Sequence, residues 1–229
     1  MQSVPIILAS ASPARLATLR GAGVNPQVIV SGVDERAVTR LAVERFGGPL
    51  TPAENALLLA QAKAEATASQ VVEAAHRAGL ETTEDVNHSG IVIGCDSILD
   101  MDGKAYGRPK DAAEAIARIQ AMRNNSGILH TGHWLIDTRD PDDGGTGATL
   151  GATGSTKVFF GDIDDNEIAA YVATGEPLQV AGSFTVDGLG GPYITGIEGD
   201  YHNVVGISLP LIRDLLTQIG VPWRSIRNS

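Results

Sequence analysis

Residues 90–100, GIVIGCDSILD, constrain the fold more than any other stretch of this chain. Apolar side chains on both faces of one strand must be covered from both sides, as in a parallel sheet held between layers of helix. The same run carries a carboxylate, Asp96, where it emerges into polar residues. Open α/β sheets place their ligands at the carboxyl ends of such strands. An aspartate there can hold a divalent metal or take a proton from water, or it can merely cap a helix or close a salt bridge.

Neighbouring segments fit that frame. Residues 4–9 read as a second buried strand, after which Ser12 suits an N-cap and Pro13 a first helical position. Leu16 and Leu19 give that helix one apolar face, and Gly21 and Gly23 end it. Residues 26–36 read as a strand running out into an acidic loop with Asp34 and Glu35. Thr51-Pro52 starts a long Ala-rich helix that Gly79 stops, and 81–89 is a polar loop. Asp102-Gly103 marks a tight hairpin turn. Asp111 with Glu114 opens a helix over 112–123. Residues 128–137 and 156–161 read as paired strands, joined by a long, mobile, Gly/Thr/Asp-rich loop over 139–155. Helices follow over 164–174 and 208–220. Alternation first and hairpins later predict an α/β fold with a mixed sheet and flanking helices. No repeat, heptad or clean linker divides residues 1–229, so one domain is expected.

Charge narrows the partners. Seventeen basic against 27 acidic residues give a net charge of −10, which disfavours nucleic acid and anionic membrane surfaces. A local cluster of Arg and Lys can still hold a phosphate. The single cysteine, Cys95, excludes an intrachain disulfide and a Cys-rich zinc site. No apolar run approaches the roughly 20 residues of a membrane span, and no leader pattern is present, so a cytoplasmic location is expected. The P-loop, G-x-G-x-x-G, H-E-x-x-H and G-x-S-x-G patterns are missing. His130 and His133 read simply as strand residues.

What remains is a set of polar groups around strand ends. Ser10, Ser12 and Arg15 surround a helix start, where free N–H groups attract anions, although Ser12 as a plain cap and Arg15 as a solvated cation account for the pattern more simply. Arg108 and Lys110 precede the helix at 112 as a second possible anion contact or a solvated basic loop. Asp34-Glu35 can bind metal or be solvated. Lys63 is unremarkable by itself. The glycines of VDGLGG (186–191) allow close approach of a planar ligand or serve turns alone.

Five blocks carry a family resemblance: LASASPARLATLRGAG, VIGCDSIL, GRPKDAAEA, YVATGEPLQVAGSFTVDGLGG and IEGDYHNVVGISLPLIRDLL. In this order, over residues 6 to about 216, they resemble the Maf family of nucleoside triphosphate pyrophosphatases. The resemblance implies an elongated mixed sheet with two lobes about a central cleft, similar to inosine triphosphate pyrophosphatases. It implies hydrolysis of a nucleoside triphosphate to the monophosphate and pyrophosphate with a divalent cation, Mg²⁺ or Mn²⁺. Asp96 matches the family's proton acceptor, Ser10 and Arg15 match phosphate contacts, Lys63 matches the lysine of an Ala-Lys-Ala helix, and Arg108 stands where lysine is usual. Ser12, Lys63 and Arg108 join the expected phosphate contacts, and Asp96 with Glu35 the expected metal ligands. The expected partner is a nucleoside triphosphate; a homodimer is left open.

Three positions depart from the family pattern, all associated with substrate choice. Ala14 replaces the first of two consecutive arginines, Ser97 a frequent threonine, and Asp187 a glutamine. An ionised carboxylate only accepts hydrogen bonds, so Asp187 favours a base edge that presents N–H groups. Two alternatives stand beside the general pyrophosphatase: a nucleotide-binding regulator of cell division with little catalysis, and a pyrophosphatase selective for 7-methyl-GTP.

Overall fold

The strand Ile6–Ala9 (β1) is buried along its whole length in the computed structural model, which describes residues 3–78 and 89–227. It pairs in parallel with Gln27–Val28 (β2) on one side and with Ile91–Met101 (β3) on the other. Lys104–Tyr106 (β4) folds back on the end of β3. Ser126–Asp137 (β5), Thr149–Phe160 (β6) and Ile194–Glu198 (β7) extend the sheet in antiparallel sense. The result is a mixed seven-stranded sheet of order β2-β1-β3-β5-β6-β7, with β4 on β3. Among the described residues seven α-helices flank it: Pro13–Gly21 (α1), Glu35–Phe46 (α2), Pro52–Ala78 (α3), Ala112–Met122 (α4), Asp165–Ala173 (α5), Tyr201–Val205 (α6) and Leu209–Gln218 (α7).

The period of two along each strand sorts side chains between two covered faces. Ile6, Leu8, Ile91, Ile93, Cys95 and Leu135 meet Leu19 of α1 and Ile212, Leu215 and Leu216 of α7. Ile7, Ala9 and Val92 face Ala64, Ala68 and Val71 of α3. The far end of the sheet has its own packing: Leu99, Met101, Leu129, Val158 and Phe160 gather with Tyr106, Met122 and Phe184. Beside them α4 and α5 pack through Ala115, Ile119, Ile168 and Val172.

Two glycines let α3 lie against the strands. A Cβ at Gly94 would collide with the Ala60 carbonyl oxygen, and one at Gly132 with that of Ala56. Ala56, Ala60 and Ala64, spaced four apart on one helical row, are fully buried. Small residues on both sides therefore bring helix backbone onto sheet backbone.

Local signals set most element ends. Ser12 and Asp111 cap α1 and α4 as expected, and Asp164 and Ser208, at the expected starts of their helices, cap α5 and α7. Thr51 and Glu54 exchange reciprocal bonds before α3. Asp102 and Gly103 both take positive φ at the β3–β4 turn. The expected stop at Gly79 and nearly all of the loop 81–89 lie outside the described residues.

Three expectations are corrected. The strand expected over 26–36 is only two residues long, and the acidic loop after it is the start of α2, with Asp34 as its cap, accepting from Ala37 N at 3.0 Å. The expected mobile loop 139–155 is strand in its second part: β6 begins at Thr149. The remaining turn is gathered on the buried Asp137, which accepts from the Arg139 guanidinium at 2.8 and 2.9 Å and from Thr146 N and Oγ1 at 2.9 Å. Finally, Asp96 does not lie at the end of its strand, because β3 continues five residues beyond it.

Candidate active site

The interior position of Asp96 is explained by what borders β3. On one edge β3 pairs with β1 over Ile91–Gly94 and with β4 over Leu99–Met101. Residues 95–98 have no ladder partner there, because β1 has ended at Ala9 and β4 has not begun. The crevice thus opens at the carboxyl end of β1, with β2 on one side and β3 on the other, where strand order reverses.

Arg15 occupies this break. Its NH1 donates to the Cys95 carbonyl at 2.9 Å and to Ser10 Oγ at 3.0 Å. Its NH2 donates to Ser97 Oγ at 3.0 Å and its Nε to the Gly206 carbonyl at 2.7 Å. A guanidinium offers five N–H donors, so one remains for a ligand. The buried Arg15 therefore ties the β1–α1 turn, β3 and the α6–α7 junction together. Ser97 Oγ is also bonded to Thr131 Oγ1 at 2.9 Å. Ser10 Oγ additionally accepts from Ser12 N at 3.2 Å, and Ser12 Oγ caps the helix through Arg15 N. The capping reading of Ser12 holds, and its residue also borders the cleft.

Lys63 and Asp96 form the chemical centre. Lys63 Nζ lies 2.6 Å from Asp96 Oδ1 and 2.6 Å from Glu35 Oε1. The close approach of α3 that Gly94 and Gly132 permit carries Lys63 to β3, and the Asp34 cap presents Glu35 at the first position of α2. Burial, the strongest influence on Asp96, raises its carboxyl above the ordinary value; Lys63 and Arg15 pull it back and Glu35 adds to the rise. Burial also opposes the Glu35 charge, but Lys63, Arg108 and Arg15 outweigh it, so that carboxyl lies below its ordinary value. The two acids are thus driven apart, Asp96 toward a better proton acceptor and Glu35 toward a fixed anion.

A cleft of about 1000 Å³ opens over this centre. Ser12, Ala14, Arg15, Glu35, Asp96, Ser97, Arg108 and Asp187 all border it. Ser10 and Lys63 are buried behind its wall. Lys110 is exposed and does not border the cleft. Asp187 belongs to the turn 185–190 that Glu176 gathers: Glu176 Oε1 accepts from Tyr171 OH, Thr185 Oγ1 and Gly190 N at 2.9, 2.5 and 3.1 Å, and Oε2 from Leu189 N at 3.0 Å. Three groups escaped sequence reasoning: Arg36 and Arg40 on α2, which border the cleft, and Glu176, which clamps the 185–190 turn from behind it. The signal for α2 was present in Asp34 ahead of an apolar pattern and Gly47 after it, in the left-handed conformation. Cys95 is no nucleophile here; its side chain is wholly buried and burial pushes the thiol up to about 11.

A family model described as Maf-like protein matches residues 5–219. The chain belongs to the Maf family. Its relatives include a Streptomyces coelicolor protein named nucleoside triphosphate pyrophosphatase, 52% identical, with 94% of this chain and 90% of that protein covered. Proteins of the same name from Leifsonia xyli and Gloeothece citriformis are 46% and 41% identical, over 97% and 95% of this chain and 96% and 95% of theirs. Among solved structures, the nucleoside-triphosphatase / dITP/XTP pyrophosphatase of Mycobacterium abscessus aligns over 93% of this chain and 94% of its own, at 15% identity and a TM-score of 0.35. Among the described residues of this Maf-family chain, no helix is long and apolar enough to cross a membrane.

Proposed function

We propose that this chain hydrolyses a nucleoside triphosphate to the monophosphate and pyrophosphate, clearing noncanonical or surplus nucleotides in the cytoplasm. The observation that carries the reading is Asp96, buried on the cleft wall with its carboxyl raised and held by Lys63 against Glu35. The names of the Maf-family relatives support it.

In this reading Asp96 orients a water at the α-phosphorus and accepts its proton, which its raised carboxyl makes easier than for a solvated aspartate. Lys63 keeps both carboxylates in place. Arg15 holds the backbone of β3 and the β1–α1 turn rigid and aims its remaining N–H at a phosphate oxygen. Preorganised positive charge of this kind stabilises the pyrophosphate as it leaves.

The donor set fits a divalent cation. Glu35 and Asp96 converge on one ammonium, and each has a second carboxylate oxygen besides the one Lys63 touches. Mg²⁺ is commonly held by one or two carboxylates and completed by phosphate oxygens and water; among the described residues no group of three or more potential ligands builds a fuller cage. When bound, such a cation supplies neutralisation of phosphate charge and a more acidic water.

The test is pyrophosphate release from 7-methyl-GTP, UTP, dTTP and CTP with Mg²⁺ or Mn²⁺. Turnover of at least one is expected, with Asp96→Asn reduced about 100-fold or more. No turnover across a broad nucleotide panel, or full activity in Asp96→Asn, would overturn the reading. The ratio among the four also tests whether Asp187 selects a base edge with N–H donors.

A further inference from the structure

Four cations border the cleft: Arg15, Arg36, Arg40 and Arg108. They face three carboxylates, Glu35, Asp96 and Asp187, two of which are already bonded to Lys63. In a chain of net charge −10 this is a local reversal of sign, and a concave site focuses it. The cations differ in what they have left to give. Arg15 has placed four N–H groups on the protein. Arg36, Arg40 and Arg108 are exposed, and among the described residues none of their guanidinium groups makes a hydrogen bond or a close ion pair; Arg108 acts on Glu35 only through its charge. Among the described residues no group of the fold takes up their guanidinium donors, which leaves these for a ligand in the cleft.

Arg36 and Arg40 are four residues apart on α2, so they share one face, with Thr39 beside them on the cleft. The helix that carries them is fixed at the Asp34 cap, at Glu35–Lys63, and by Thr39 Oγ1 to Asn55 Oδ1 at 2.9 Å. A rise of about 1.5 Å per residue sets Arg40 roughly 7.5 Å along the axis from Glu35, and so away from the reacting centre. On the α1 side of the same cleft Ala14 offers no charge. We infer that Arg36 and Arg40, beside the phosphate contact already expected of Arg108, grip the β- and γ-phosphates of the substrate and hold the pyrophosphate product. Planar guanidinium groups suit this bidentate work.

The inference rests on the proposed triphosphate reaction, but it is tested separately with inorganic pyrophosphate. Binding of pyrophosphate by calorimetry, and its inhibition of turnover, are compared in the parent, Arg36→Gln/Arg40→Gln, Arg108→Gln, and Arg45→Gln. Arg45 is on α2 but does not border the cleft, and it controls for charge alone. Pyrophosphate affinity is expected to fall at least tenfold in the double variant and in Arg108→Gln, with KM for the nucleotide rising in parallel. Arg45→Gln is expected to stay within twofold, and all variants to keep the parent's melting temperature. Equal pyrophosphate affinity in the parent and the double variant would refute the grip even if turnover is robust. If the parent hydrolyses nothing yet binds pyrophosphate through these arginines, the grip stands and the proposed reaction falls.

Discussion

Replacing Arg15 by methionine asks whether this residue serves first as a ligand or as a pin. The substitution keeps a long apolar stem but removes four donated hydrogen bonds. Two of the acceptors, Ser10 Oγ and Ser97 Oγ, have other partners in Ser12 N and Thr131 Oγ1. The carbonyls of Cys95 and Gly206 lose a charged donor in a buried setting, and each unsatisfied group costs about 1–3 kcal/mol. Two such groups, with partial relaxation, give an expected loss of roughly 3–5 kcal/mol for Arg15→Met. In a chain of this size that lowers the melting temperature by roughly 6–20 °C. Urea unfolding followed by circular dichroism, with a thermal scan beside it, measures the effect. Arg15→Lys retains the charge but presents one compact ammonium, which cannot reach three separate elements, so it should recover less than half of the loss. A midpoint for Arg15→Met within about 1 kcal/mol of the parent, with KM raised and stability unchanged, would show that the pin argument is wrong.

Three other outcomes follow from the same geometry. Gly132→Ala should drive α3 away from the sheet, costing about 1–3 kcal/mol and reducing turnover by parting Lys63 from Asp96; unchanged stability and rate together would refute the close-approach argument. At Asp137 burial opposes ionisation, but the bonds from Arg139 and Thr146 win and lower the carboxyl from 3.8 to about 2. A folded value below the unfolded one contributes stability that is full above the ordinary carboxylate range and lost as pH falls toward about 2. It is worth about 2 kcal/mol. Asp137→Asn should therefore cost about that much at neutral pH and much less near pH 2.5, by urea titration at both; an equal cost at both would refute it. Glu176→Gln turns an acceptor of four bonds into a group with a donor end, so the 185–190 turn should loosen. The expected sign is a change in the ratio of kcat/KM between two bases with stability nearly kept, and an unaltered ratio would show that Asp187 needs no such clamp.

Sequence alone was enough for the parts of this protein governed by local chemistry. Apolar periodicity specified β1, β3 and β5, because a strand buried on two faces has few other solutions. Caps at Ser12, Thr51, Asp111, Asp164 and Ser208 set helix starts, since free N–H groups must find an acceptor within three residues. Five ordered blocks indicated the family. The 12-residue α2 escaped notice because only Ala42 along it is buried; its other apolar residues stay exposed or half-buried, and polar links to α3 hold it. The 139–155 segment read as a loop because its composition is Gly- and Thr-rich, whereas pairing with β5 orders its second part and Asp137 gathers the turn before it. Only the tertiary structure decided the roles of the cations. Lys63 and Arg15 look like phosphate ligands in a linear reading, yet one is bonded to two carboxylates and the other to four groups of its own chain. Arg36 and Arg40, which no motif marks, have no side-chain partner among the described residues. Which charge a fold uses for itself and which it leaves for a ligand depends on distances between residues remote in sequence, and those distances arise when α3 settles against Gly94 and Gly132.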